Sequence, residues 1–386
     1  MTVFLPTERL DVLTKGNLST LSRKVHGRHS LIVVMYLAAF LQEHVLIVGP
    51  PGTGKSYLAR MFFSQFPGRT FHIVCSERMS EEYLVGPLDM KLFRDEGEYR
   101  HKTEGTIVDA EYAFLDEFLD LPDTTARCLL EILNERTFTK GKQKENCPLR
   151  SCVAATNFSA ESEELQAVQD RFIFRVDLEG LQSQEDIHSA LEKTVLNRDD
   201  KKLTSLSLSA LSKIRQDIES VTLDSFSLEV YSLLVSILKP LDTSITDRRV
   251  ISCVRVAKAF AFLSGRDIAQ IDDFIGAITL CLVRKPSSEI SREIGAALTE
   301  VKKDFRCRVY HWLVESLSND CRGKRNGITR MRLRTETTHL RDMIDKDFGA
   351  SNSTDGARAV LVFDSSYKIL EECREKLELV VRELLK

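Results

Sequence analysis

The chain has 386 residues, 43% hydrophobic and 29% charged, a globular composition long enough for two or three domains. Its formal net charge of −3 gives no general attraction to nucleic acid. Nine scattered cysteines without a CxxC pair argue against a disulfide framework and for free thiols in a reducing cytosol. Cys147 and Cys152 lie close in sequence, but no partner pair stands at zinc-ligand spacing. The opening stretch "MTVFLPTERLDVLTKG" lacks a signal-peptide core, and the longest apolar run, Ser30 to Leu41, is too short to cross a bilayer. These features predict a soluble, cytoplasmic protein with no membrane span.

The elements follow in chain order. Ser30–Leu41 predicts a buried helix. "HVLIVG" (His44–Gly49) predicts a first strand, and a helix follows from Lys55 to about Gln65. "TFHIVC", "YAFLD", "RSCVAATN" and "DRFIFRVDL" predict four more strands. Short apolar strands separated by helices predict an α/β core with a parallel sheet covered on both faces, over residues 1–180. Past Leu181 the strand signals stop. "SQEDIHSALEKTVL" carries a serine cap and an acidic first turn, and "RRVISCVRVAKAFAFLSGRD" has helical apolar spacing with a glycine stop. Residues 181–285 therefore predict an all-helical domain, and "KPSSE" at Lys285–Glu289 a joint. Residues 286–386 predict a mainly helical region. It holds a helix over 289–317, a run with six Arg or Lys from Arg322 to Arg334, and a loop "GASNSTDG". An apolar stripe follows at Leu370, Cys373, Leu377, Val380 and Leu384, too short for a coiled coil.

Three stretches carry chemistry. "GPPGTGKS", with Gly49, Pro50, Pro51, Gly52, Thr53, Gly54, Lys55 and Ser56, fits G-x-x-x-x-G-K-[ST] between a strand and a helix. Such a loop curls backbone N–H groups around phosphates at a helix N-terminus. Lys55 is placed to neutralise the β- and γ-phosphates, and Ser56 to offer a hydroxyl to Mg²⁺. "AFLDE" delivers Asp116 and Glu117 to the end of a strand, beside that loop. Asp116 would hold Mg²⁺ and Glu117 would polarise an attacking water. "VAATN" brings Asn157 to the end of another strand, within reach of the γ-phosphate and the water. Taken alone, each has a plainer reading: a glycine turn, a solvated acidic pair, a turn asparagine.

In order along the chain stand "GPPGTGKS", "VGPLDMKLFRDEGEYRHKTEG", "AEYAFLDE", "LLEILNERTF", "AATN", "QDRF" and "TDRR…AFLSGRD". Together they resemble the AAA+ ATPases, and more closely the MoxR family and its RavA branch, over roughly residues 20–280. The resemblance implies an AAA+ P-loop core with a helical lid, in a hexameric ring that binds ATP and Mg²⁺ between subunits. It implies that Arg171 is an arginine finger reaching the neighbour's site, where a trans arginine is worth roughly 10³–10⁵ in rate. Arg248 matches the second sensor, with Arg249 the lesser alternative, and Arg136 faces the site region. Val25 and His26 lie where the family packs adenine. Gln169 stands where the family often has Leu. The resemblance further implies lid motion driven by ATP, remodelling of a protein client, and a partner with a von Willebrand A domain.

Two other functions stay open from sequence. The basic run at Arg322–Arg334 supports a nucleic-acid-associated NTPase of a defence or restriction system. A nucleotide-locked scaffold is the non-catalytic alternative, against which Lys55, Asp116, Glu117 and Asn157 argue. The segment Leu84–Ile107 reads as a polar hairpin with Gly97 at its tip. In the MoxR-like family an insertion at this position projects toward the ring's pore.

Overall fold

The computed structural model describes residues 7–157, 163–180 and 202–282, apart from residues 224 and 243, plus a few isolated positions beyond them. The chain forms two compact units, Met1–Pro286 and Ser287–Lys386, and every element named below belongs to the first. The helices expected at Ser183–Leu196 and 289–317, the basic run, the loop after it and the terminal stripe lie outside the described stretches.

Five strands form one parallel sheet: β1 (Val45–Val48), β2 (Thr70–Val74), β3 (Tyr112–Asp116), β6 (Ser151–Thr156) and β7 (Phe174–Asp177), in the order β2-β3-β6-β1-β7. Each lies within a stretch whose apolar run predicts it. All six residues of β6 are buried, as a central strand covered on both faces requires, whereas β2 alternates exposed and half-buried residues at the sheet edge. The amino-terminal helices are α1 (Thr7–Leu13), α2 (Asn17–Lys24) and α3 (His29–Leu41). From Leu31 to Leu41 every residue of α3 is buried, because this helix is apolar all round and is covered on every side. Tyr36 on α3 packs edge-on against Phe62 of α4 (Lys55–Phe63), with ring centroids 4.9 Å apart. Its hydroxyl donates to Gln65 Oε1 at 2.6 Å, and Asn17 Nδ2 donates to the same oxygen at 2.8 Å. This buried polar cluster is thereby satisfied rather than costly.

Helices α7 (Asp123–Glu135) and α8 (Glu163–Gln169) complete the core. The helical region contains α9 (Leu208–Ser220), α10 (Ser225–Leu238), α11 (Asp247–Leu263) and α12 (Ile271–Cys281). Thr246 caps α11, and Gln270 with Asp273 forms a capping box on α12. This region is not wholly helical. Two short strands, β8 (Thr222–Leu223) and β9 (Ile268–Ala269), pair in parallel beside the helices.

The segment after β2 departs from the hairpin its sequence predicts. It holds α5 (Glu82–Val85) and α6 (Met90–Glu96). Asp89 caps α6 by accepting from the N–H groups of Lys91 and Leu92, and Gly97 ends it at φ 67°. Gly97 is thus a helix terminator rather than a hairpin tip, because Asp89 and Gly97 bracket one short helix. Only the base pairs in strand fashion: Asp89 N–H donates to Arg100 O and Lys102 N–H to Pro87 O. A second projection, the hairpin β4 (Thr137–Lys140) and β5 (Gln143–Asn146), docks on that base. The Gln143 amide accepts from His101 N–H at 2.7 Å and donates to His101 O at 3.1 Å, imitating a strand neighbour. Lys140 pairs with Glu81 at 2.8 Å.

Gly86 permits this base. Its φ is 94°, and a Cβ there would lie 1.9 Å from Lys102 O. Gly86→Ala is expected to destabilise the fold by about 2 kcal/mol or more through backbone strain. A urea midpoint unchanged from wild type would show that the base yields freely.

Candidate active site

The sheet places the sequence-predicted residues at its carboxyl edge. The loop Gly49–Gly54 leaves the end of β1 and turns into α4, with Gly52 at φ 79° and Gly54 at φ 81°, values that glycine adopts without a Cβ penalty. Gly49 N–H donates to Thr156 O at 3.0 Å, which ties the loop to β6. Thr53 Oγ1 closes the loop on Pro50 O at 2.9 Å.

Lys55 is 6% exposed. Its ammonium donates to Gly49 O at 2.5 Å, Pro50 O at 3.2 Å and Asn157 Oδ1 at 2.7 Å. Burial pushes its pKa below the ordinary lysine value, against the opposing pull of Glu117 and Asp116. Ser56 Oγ donates to Asp116 Oδ2 at 2.5 Å. A hydroxyl and a carboxylate oxygen this close form a hard-oxygen donor set, which fits Mg²⁺ that keeps phosphate and water ligands. Glu117 holds a left-handed backbone at φ 48°, a sparsely populated conformation of the kind found at functional sites. Both its carboxylate oxygens accept from Asn157 Nδ2, at 2.9 and 2.8 Å. Asn157 therefore joins Lys55 to Glu117, its carbonyl to the cation and its amide to the carboxylate. That pairing fixes which way the amide points.

Val25 and His26 follow α2 and lead into Arg28, whose Nη2 donates to Glu179 O at 2.9 Å. Glu179 lies just past β7, and the preceding Leu178 packs against Gly49. The loop carrying Val25 and His26 is thereby tied to the same edge as the phosphate loop. Val25 is buried and His26 half-buried.

The predicted arginines lie at the other edge. A cavity of about 250 Å³ is lined by Arg136, Arg171, Arg215, Arg248, Arg249 and Arg255. Its walls include Gln42, Glu43 and His44 just before β1, and Ile173 just before β7. β1 itself separates it from the phosphate loop by about 13 Å of extended chain.

Most of these cations are engaged in structure. Arg249 is 1% exposed; it donates to Phe172 O and Ile173 O and pairs with Asp170 at 3.6 Å. Arg255 donates to Glu43 Oε1 at 2.6 Å and Leu41 O at 2.7 Å. Arg215 bonds the side chains of Glu219 and Gln42. Arg136, with φ 56°, closes the end of α7 through Leu133 O and reaches Gln42 O. It faces this cavity, at the opposite edge from the phosphate loop of its own chain. Arg171 keeps a 3.8 Å ion pair with Asp170 while lining the cavity, and Arg248 lines it with no hydrogen bond or ion pair among the described residues. Burial and the nearby Arg248 charge push the Arg171 pKa down. Two cations sharing a cavity this way form a ready seat for an anion. The resemblance prefers Arg248 to Arg249, and burial sets the two apart physically: Arg249 is enclosed while Arg248 lines the cavity.

The strand order, the phosphate loop and the acidic pair at the end of β3 define a P-loop core of the AAA+ class. A crystal structure of a candidate ATPase from Cytophaga hutchinsonii shares this fold, with a TM-score of 0.58 at 19% identity over 76% of this chain and 94% of that one. Within the class, the chain belongs to the MoxR family: the MoxR domain of MoxR-vWA-beta-propeller ternary systems matches residues 12–216. An uncharacterized protein of Methanocaldococcus jannaschii is 32% identical over 249 residues, 64% of each chain, and a second from that organism is 30% identical over 246 residues. The nitrogen assimilation regulatory protein NtrX of Azorhizobium caulinodans is 30% identical over 156 residues, 34% of each chain. The chain spans 64% and 65% of the length of the two archaeal relatives. Among the described residues no helix is long and apolar enough to cross a membrane.

The split between the two neighbouring arginines is measurable. Arg249→Met removes the buried partner of Asp170 and the ties to Phe172 O and Ile173 O, and is expected to cost about 3–5 kcal/mol, as breaking a buried pair does. Arg248→Ala is expected to stay within about 0.5 kcal/mol of wild type. Equal urea midpoints for the two variants would contradict the assignment.

Proposed function

We propose that this chain is an ATP-hydrolysing subunit of a MoxR-type ring that remodels a protein partner bearing a von Willebrand A domain. One observation carries the proposal: the phosphate loop and the cavity lined by Arg171 and Arg248 lie at opposite edges of one parallel sheet. A single chain cannot close both on one phosphate, whereas two chains set edge to edge can. Of the known partner classes, the family's own description points to von Willebrand A and β-propeller proteins.

In this reading the loop N–H groups from Gly49 to Ser56 hold the phosphates, and Lys55 leaves its carbonyl partners to neutralise them. Ser56 and Asp116 hold Mg²⁺, which when bound supplies positive charge against the phosphate oxygens. Glu117 orients the attacking water and draws its proton. Asn157, already bonded to Lys55 and Glu117, relays the state of the phosphate to the base. Arg171 and Arg248 of the neighbouring subunit meet the charge that grows on the transferred phosphoryl group. Val25 and His26 flank the adenine. The projection built from α5, α6 and the β4–β5 hairpin leaves Tyr83, Met90, Phe93 and Tyr99 exposed, and it is the surface offered to the partner.

Phosphate release tests this directly. Lys55→Ala and Glu117→Gln are each expected to lower turnover at least about a hundredfold, with Glu117→Gln still binding ATP. Removing Mg²⁺ with EDTA should silence wild type. Turnover per chain should also fall on dilution as the shared sites come apart. Wild type that releases no more phosphate than Lys55→Ala, at high concentration with Mg²⁺, would sink the enzymatic reading.

A further inference from the structure

We propose that Asp170 is a positioning residue that fixes Arg171 relative to Arg248, so that the two arginines act as a preformed pair. The inference rests on the reading that this pair completes a neighbour's site.

Arg171 and Arg248 are each next in sequence to a member of one ion pair, Asp170 with Arg249. Arg171 follows Asp170, and Arg248 precedes Arg249. The Asp170 carboxylate stands between Arg171 and Arg249, with Oδ1 3.6 Å from Arg249 Nε and Oδ2 3.8 Å from Arg171 Nη1. Thr246 Oγ1 donates to both carboxylate oxygens, at 3.3 and 3.2 Å, while accepting from Arg249 N–H as the cap of α11. On the other side of Arg171, Arg249 Nη2 grips the carbonyls of Phe172 and Ile173. The backbone of Arg171 is therefore held both before and after the residue, and from the same helix start that carries Arg248. Phe172 is buried and packs edge-on against His44 and Phe118, which leaves this stretch no slack.

Asp170 sits just past the carboxyl end of α8, where a helix dipole disfavours an anion. Capping cannot account for a carboxylate there; the cations around it can. Arg171 and Arg248 repel each other across the cavity, and without its Asp170 partner Arg171 would relax away. A preformed pair needs no rearrangement when charge develops, the condition under which a cation contributes most.

The test is steady-state ATP turnover of the full chain carrying Asp170→Asn, Asp170→Glu, Arg171→Ala and the two double substitutions. Asp170→Asn is expected to lower kcat about tenfold or more with KM for ATP within about threefold, the signature of a misplaced group. In the Arg171→Ala background it should lower kcat by less than about twofold, since the residue it positions is already gone. Asp170→Glu keeps a charge for Arg249 but moves the carboxylate by a methylene; it should show the same loss and the same dependence on Arg171. It decides alone if Asp170→Asn does not fold. Equal fractional losses in both backgrounds would mean general damage and overturn the proposal. So would wild-type kcat in the Asp170 variants beside an impaired Arg171→Ala. Wild-type kcat in Arg171→Ala would instead remove the shared-site reading, and this proposal with it.

Discussion

Five strands run in the same direction, and that shared polarity gives the sheet two chemically different edges. At the carboxyl edge the chain turns from β1 into the phosphate loop, from β3 into Asp116 and Glu117, and from β6 into Asn157. At the amino edge it enters β1 through Gln42, Glu43 and His44, and β7 through Asp170 to Ile173. Parallel strands cannot bring these sets together, because each strand separates its own start from its own end. The proposed division of labour between subunits rests on that geometry. One edge holds a lysine, a hydroxyl, two carboxylates and an amide already in mutual contact, and the other holds arginines with charge to offer.

The arginine-rich cavity shows how burial assigns roles among like residues. Arg136, Arg215, Arg249 and Arg255 each meet carbonyls or side-chain acceptors, and they join α7, α9 and α11 to the start of β1 and β7. Arg249 is the buried one, where breaking its pair leaves an uncompensated charge in a low-dielectric interior, and all four are engaged in structure. Arg171 and Arg248 keep donors facing open space. Hydrogen bonds also tie the segment before α9 to the helices beside the sheet of its own chain: Thr204 N–H donates to Asn17 Oδ1 on α2 and Leu206 N–H to Gln65 O just past α4. Motion between core and helices of one chain would have to break these contacts.

Much of the core was legible in the sequence for a physical reason. Fully covered parallel strands read as short apolar runs, and "HVLIVG", "YAFLD" and "RSCVAATN" contain β1, β3 and β6. The phosphate loop is equally visible, since only glycines at Gly52 and Gly54 allow its turns. Other features depend on neighbours distant in sequence. Gln143 looks like a surface residue until His101 is placed opposite it, and the β4–β5 hairpin has only a Gly141 turn between polar residues to announce it. The segment around Gly97 was misread because a glycine after charged residues serves equally as a hairpin tip and as a helix stop. Asp89, a capping residue seven positions before the last helical residue, was the signal that decides between them. The resemblance prefers Arg248 to Arg249 in "TDRR", but the physical cause, which side of α11 meets Phe172 and Ile173, does not show in the sequence.

The central claim is that one chain's phosphate loop is completed by another chain's arginines. Mixing Arg171→Ala with Lys55→Ala subunits puts it to the most direct test. Each variant alone should release little phosphate, and the mixture should recover measurable turnover where an intact loop meets an intact arginine pair. No recovery, in assemblies shown to exchange subunits, would contradict the account.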